Sequence, residues 1–134
     1  MRHCLPSTFV LTALLATSAP LPASEAGAAD RAFAERVAAC EAASHQSPHP
    51  FMRDFAIEHA VTGETDGTCG YTQSMPGGMR MECALSEAGR DGLAAEFREM
   101  AEGRMSGSSQ EKKAWTGECE IVTADGKRLK VGPA

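Results

Sequence analysis

The sequence predicts a small α+β domain, an antiparallel sheet of about five strands with two helices on one face, in the order α-β-β-β-α-β-β. Apolar residues recur at helical spacing in two stretches, and between and after these they alternate with polar residues at period two. The alternating runs follow one another through short turns, which permit antiparallel neighbours and no parallel crossover. Helices and strands so ordered pack as two layers. Size and cysteine content complete the expectation: 134 residues with five cysteines make one domain with a modest core, fastened by disulfides.

The chain begins with a targeting pattern. Arg2 and His3 precede an uncharged apolar run from Leu5 to Ala19, and small residues and prolines follow. These are the charged, apolar and cleavage regions of a secretory signal peptide. The run is shorter than the ~20 residues that a membrane-spanning helix needs, and no later stretch approaches that length. Residues 1–23 are expected to leave by cleavage after Leu21-Pro22-Ala23, with Ala26-Gly27-Ala28 as the alternative point. Cys4 leaves with them, ahead of the apolar run and so in the wrong place for a lipid anchor. The formal net charge of −5 becomes one unit more negative when Arg2 is lost. That balance disfavours nucleic acid and anionic bilayers as partners. The expected compartment is the bacterial periplasm or the exterior of the cell.

Residues 24–29 read as a flexible leader of small residues, and 30–134 as the domain. Asp30 can cap a helix running to about Ala43, with Phe33, Val37 and Cys40 on one face. Residues 44–50, with two prolines, read as a linker. A strand follows over 51–62, where Phe51, Arg53, Phe55, Ile57, His59 and Val61 alternate with the other face. After a turn at 63–67, strands are expected over 68–75 and 79–85. Ser86 caps a second helix whose apolar stripe is Leu93, Phe97, Met100 and Ala101, and Gly103 stops it. Residues 103–113 read as a flexible polar link. Residues 115–123 form a fourth strand, Asp125-Gly126 a hairpin turn, and 127–131 a short fifth strand.

Cys40, Cys69, Cys83 and Cys119 remain after cleavage. An even number in an exported small domain implies two disulfides. No C-x-x-C occurs, so thioredoxin-type, zinc-ribbon and c-type haem spacings are all missing. Pairing follows from the turn at Pro76-Gly77-Gly78, which suits a three-residue loop with Gly78 left-handed. Met75 then faces Met79, Gln73 faces Met81 and Tyr71 faces Cys83. Cys69 lies diagonally from Cys83, Cα atoms ~7–8 Å apart, at the limit of disulfide reach near ~7 Å. Each hairpin cysteine is therefore expected to bridge outward, one to Cys40 and one to Cys119. A shift of the loop by one position would oppose Cys69 and Cys83 and reverse this.

The stretch from Tyr71 to Arg90 resembles small exported proteobacterial proteins with a Tyr, a Met-Pro, a Gly-rich turn, a Met-x-Cys and a Ser-started helix. Tyr71, Met75, Pro76, Gly77, Gly78, Met81, Cys83 and Ser86 carry the resemblance, over roughly residues 49–100. It implies export and a disulfide-bonded fold, and brings no activity with it.

Three functional readings compete. The first is an exported binding or interaction protein acting on a protein or other envelope component, without cofactor, with Phe51, Tyr71 and Trp115 as patch candidates. The second is a Cu(I) carrier, because Met75, Met79 and Met81 share one end of one face, thioethers select Cu(I), and His59 lies on an apolar strand face. Periplasmic copper chaperones combine such residue types with a tryptophan, but Trp115 comes late and on another strand. Against this reading, methionine fills irregular cores, and the alternation of Met79, Met81, Cys83 and Leu85 is that of a buried strand. The third is a small hydrolase. Ser44-His45 and Ser47-x-His49 are adjacent only in sequence, Glu118 and Glu120 flank Cys119 on a solvated face, and no catalytic motif appears. The expectation is therefore a non-enzyme.

Overall fold

A computed structural model describes residues 23–104 and 114–132. The expected signal peptide, up to residue 22, and most of the expected polar link, residues 105–113, lie outside the described residues. The α+β class holds: two helices cover one face of a six-stranded antiparallel sheet whose strands are adjacent in chain order. The elements are α1 (Ala23–Ala39), β1 (Ala43–Pro48), β2 (Ala56–Thr65), β3 (Thr68–Met75), β4 (Met79–Leu85), α2 (Glu87–Ala101), β5 (Cys119–Val122) and β6 (Arg128–Lys130).

Five local expectations are corrected. The first helix starts at Ala23, so residues 24–29 are helical rather than a loose leader. Their alanines favour helix, and Gly27 lets α1 approach α2 closely; a Cβ there would stand 2.6 Å from the Ala101 carbonyl oxygen. The same helix ends at Ala39, not Ala43, because Cys40 adopts a left-handed φ of 52°. That turn frees residues 43–48 to form β1, where a linker was expected. Pro48 is tolerated because it stands at the end of an edge strand, where a missing N–H breaks no ladder bond. Residues 51–55 form a loop, and the strand expected from Phe51 begins at Ala56. Trp115 lies in a 3₁₀ turn (Ala114–Glu118) ahead of β5 rather than on the strand.

The hairpin register is as expected: Met75 faces Met79, Gln73 faces Met81 and Tyr71 faces Cys83. Both Gly77 and Gly78 have positive φ, 76° and 73°. Cys69 faces Leu85, and the bridges are Cys40–Cys69 and Cys83–Cys119. The first fastens the end of α1 to β3; the second joins directly opposed positions of β4 and β5. Ser86 caps α2, its hydroxyl accepting from the Gly89 N–H at 3.1 Å. Glu118 holds that cap by accepting from the Ser86 N–H and hydroxyl. Gly103, with φ 73°, ends the helix as expected.

The core lies between helices and sheet. Phe33 and Val37 of α1 meet Leu93, Ala94 and Phe97 of α2 over Val61, Cys69, Tyr71, Met81, Cys83 and Leu85. Phe33 and Phe97 pack edge to face, 4.8 Å between ring centres, an arrangement that adds to plain burial. Among the described residues no helix lies on the opposite sheet face.

Candidate functional site

Three regions bring chemistry-bearing residues together. The first is a row of polar side chains under α1 and α2, His59 and Tyr71 buried and their neighbours half-buried. His59 on β2 is 5% exposed and lies between Ser47 on β1 and Tyr71 on β3. Its Nε2 is 2.8 Å from the Ser47 hydroxyl and its Nδ1 is 2.7 Å from the Tyr71 hydroxyl. Tyr71 donates onward to Gln73 Oε1 at 3.2 Å. With the phenol proton so placed, His59 Nδ1–H donates to Tyr71, and Ser47 donates to Nε2. Beside it, His45 Nε2 is 2.7 Å from Asp30 Oδ1, and Phe33 stacks on the His45 ring at 5.1 Å. Phe97 stands nearly perpendicular to both histidine rings.

Burial, reinforced by the neighbouring His45, lowers the His59 pKa to about 4, so the ring is neutral near pH 7. Burial first, then the Glu96 carboxylate, pushes the Tyr71 phenol far above its usual value. A hydroxyl beside an imidazole is the start of a nucleophile–base pair. Here the third member is a phenol that resists ionisation, where a triad places a carboxylate. Within the row the two buried groups, His59 and Tyr71, find hydrogen-bond partners in each other and in half-buried Ser47 and Gln73, the condition for burying them at modest cost.

The second region is the end of the sheet where the loops after β1, β3 and β5 gather. Among the described residues, Phe51 is the most exposed large apolar side chain, at 84%, with Met52 beside it at 44%. Their loop is fastened. His49 Nδ1 accepts from the Phe51 and Met52 N–H groups at 3.2 and 3.1 Å. The His49 N–H reaches the Phe55 carbonyl and the Phe55 N–H reaches the Met52 carbonyl. The His49 ring also packs edge-on against Phe51 and Phe55. Met75 and Met79 are half-buried at this end, and Met81 is buried at 8%.

The third region is the uncovered sheet face, a concavity of about 710 Å³ bordered by Ser44, Gln46, Glu58, Thr72, Ser74 and Arg80. Towards β6 this face becomes a grid of charges. Arg80 and Arg128 both contact Glu82, and their hydrogen bonds and charge hold its carboxyl below the usual range.

Of the three patch candidates, the structure exposes only Phe51. Tyr71 at 1% and Trp115 at 5% exposure are core residues, which corrects their assignment to a surface patch. Both find partners for their polar atoms, the Trp115 indole N–H on Glu96 at 2.8 Å, so amphipathic rings that suit a surface also serve inside. Of the proposed Cu(I) ligands, the three methionines share one end of the inward face, Met75 opposite Met79 and Met81 two residues along β4, and His59 does not join them. Gln73 lies between His59 and Met81 in the sheet register, and both His59 nitrogens are hydrogen-bonded elsewhere. The sequence reading missed Ser47 and His45 as partners of the buried row because it placed them in a linker. Their one signal was the alternation of Ala43, His45 and Ser47, three inward residues too polar to suggest a covered face.

Comparison with known protein families, curated proteins and solved structures finds no match for this chain.

Proposed function

We propose that the protein is an exported, disulfide-stabilised interaction module that engages a protein or other component of the cell envelope through the loop carrying Phe51. The exposure of Phe51 on a fastened loop is the observation that carries this reading. An aromatic held in place before binding loses little conformational freedom when a partner buries it, and aromatic anchors dominate interface energies. Two prolines, the His49 ring and two backbone hydrogen bonds constrain a segment that contributes little to the core. Export is supported by the leader pattern and by the pairing of all four cysteines beyond it, since disulfides persist in oxidising compartments.

The test is photo-crosslinking in living cells, with a photoreactive amino acid replacing Met52 and, as control, exposed Glu41, two residues ahead of β1. A discrete adduct from position 52 alone, abolished by Phe51→Asp without a change in melting temperature, is the expected result. Equal labelling from both positions, or an adduct indifferent to Phe51→Asp, would remove the proposal.

A further inference from the structure

Three aspartates in the sequence stand directly before a glycine: Asp66-Gly67, Asp91-Gly92 and Asp125-Gly126. A glycine nitrogen, with no side chain crowding it, can attack the carboxyl carbon of such an aspartate and close a five-membered succinimide ring. The attack needs a free N–H, a carboxyl that is not held elsewhere, and a backbone able to turn. The fold treats the three positions differently. Asp91-Gly92 lies inside α2, where the helix fixes the backbone and spends the Gly92 N–H on the carbonyl four residues back.

Asp125-Gly126 is held on both sides of the bond that would form. The Gly126 N–H donates to the Thr123 carbonyl at 2.9 Å, and the Thr123 hydroxyl donates to the Asp125 carboxylate. That hydroxyl, then the Asp125 and Lys127 backbone, keeps the Asp125 carboxyl below its usual range. Closure runs through the protonated acid, so this opposes it. Asp66-Gly67 is the tip of the β2–β3 hairpin, a two-residue loop with φ 51° and 78°, both positive as a type I′ turn requires. Both residues are exposed, and apart from its chain neighbours nothing lies within 4 Å of where a Gly67 Cβ would stand. Among the described residues no group accepts from the Gly67 N–H and none bonds the Asp66 carboxylate. The ladder below the tip ends in the single pair Thr65–Thr68, with the Thr68 hydroxyl on the Thr65 carbonyl at 3.0 Å. A non-glycine residue is disfavoured in left-handed backbone, so local preference does not oppose Asp66 leaving it.

We propose that Asp66 is a site of spontaneous isomerisation to isoaspartate in the folded protein, and that Asp91 and Asp125 are spared. The Gly67 nitrogen bonds to Asp66 Cγ, and its proton leaves with the carboxyl hydroxyl as water. Water then opens the ring. Attack at Cγ restores aspartate; attack at the main-chain carbonyl leaves the chain running through the former side chain. One water is lost and one regained, so the mass is unchanged and no oxidant, reductant or cofactor takes part. The product carries one extra backbone carbon at the hairpin tip and a free carboxylate on Cα. Cys69, bridged to Cys40, anchors β3 three residues further on, so the altered tip stays on an intact core. The site lies at the other end of β2 from the Phe51 loop and depends neither on export nor on what Phe51 contacts.

To test this, the purified disulfide-bonded protein is held for weeks at neutral pH and 37 °C, then reduced and digested with trypsin. Cleavage after Arg53, Arg90 and Lys113 puts the three aspartates in separate peptides. Electron-transfer fragmentation cuts the extra backbone bond of isoaspartate and so locates it. Isoaspartate should build up at residue 66, with loss of the aspartyl form and no change in mass, while residues 91 and 125 stay at their starting level. The same incubation of reduced protein in guanidinium should bring 91 and 125 up to the level of 66, which ties the difference to the fold. Isoaspartate missing from 66 in the folded protein, or equal at 66 and 125, would overturn the proposal. So would isoaspartate confined to 66 in the unfolded chain as well.

Discussion

Lowering the pH from 7.5 to 4 charges His59 in the unfolded chain before it charges the folded one. In the unfolded chain this histidine titrates near 6.5; in the folded domain, with its ring buried and both nitrogens bonded to neutral hydroxyls, it titrates at about 4. Between those values the unfolded state binds more protons than the folded one, so stability falls as the pH falls. The contribution is fully present above pH 6.5, is lost across the window, and is constant below about pH 4. At 1.36 kcal/mol per pH unit the gap amounts to about 3 kcal/mol. That is a large part of the ~5–15 kcal/mol that holds a small domain. The groups facing the ring are Ser47, His45 with Asp30, and Tyr71; Glu82 and Asp125 are exposed carboxyls held below their usual range and common to every variant. The assay is urea denaturation at pH 7.5, 6, 5 and 4, for the wild type and for His59→Gln. The glutamine variant should be less stable at pH 7.5, having lost ring contacts with Phe33 and Phe97, yet its stability should change far less with pH. A wild type equally stable at pH 7.5 and 5, or a variant with the wild-type pH slope, would refute this account.

Peptide mapping of material from the cell envelope should find a chain starting at Ser24, with Cys40 joined to Cys69 and Cys83 to Cys119; a mixed or fully reduced map contradicts the assignment. Replacing either cysteine pair by serine should cost about 3.7 kcal/mol by the loop-entropy relation, for loops spanning 29 and 36 residues, read as a drop in the urea midpoint. Gly27→Val should destabilise by roughly 1–3 kcal/mol, although valine is the better helix former, because its Cβ meets the Ala101 carbonyl of α2. A melting temperature at or above wild type would show that the helices have room to part. Met79→Leu combined with Met81→Leu should cost under about 1.5 kcal/mol per site and leave Cu(I) affinity unchanged. Tight one-to-one Cu(I) binding that this double variant abolishes would make the methionine cluster a metal site.

Where side-chain chemistry alternates cleanly, the sequence was sufficient. Met79, Met81, Cys83 and Leu85 fix the inward face of β4, and Pro76-Gly77-Gly78 fixes the register, so distance alone disfavoured a Cys69–Cys83 bridge. Which of the two joins Cys40 and which joins Cys119 depends on where α1 and β5 lie, which the local pattern does not carry. β1 was illegible for a physical reason. An edge strand can carry polar inward residues if partners across the core satisfy them, and those partners, Asp30 and His59, are 15 and 12 residues away. Local pattern cannot register such a bond. Phe51 misled in the opposite direction: its spacing from Phe55 and Ile57 looks like a strand, while the His49 ring, by accepting two N–H groups, bends the backbone into a loop. Trp115 and Tyr71 are amphipathic, and only their neighbours, Glu96 and His59, decide that they point inward.

The two disulfides enclose separate, non-overlapping lengths of chain. Hydrolysis of any one of the 29 peptide bonds between Cys40 and Cys69, or of the 36 between Cys83 and Cys119, leaves both pieces covalently attached. The protruding Phe51 loop falls inside the first of these lengths. A peptidase that reached it would nick the molecule without releasing a fragment, and the cut ends would stay beside a sheet still able to hold them. The most exposed large apolar side chain among the described residues thus sits where a single cleavage cannot take the molecule apart.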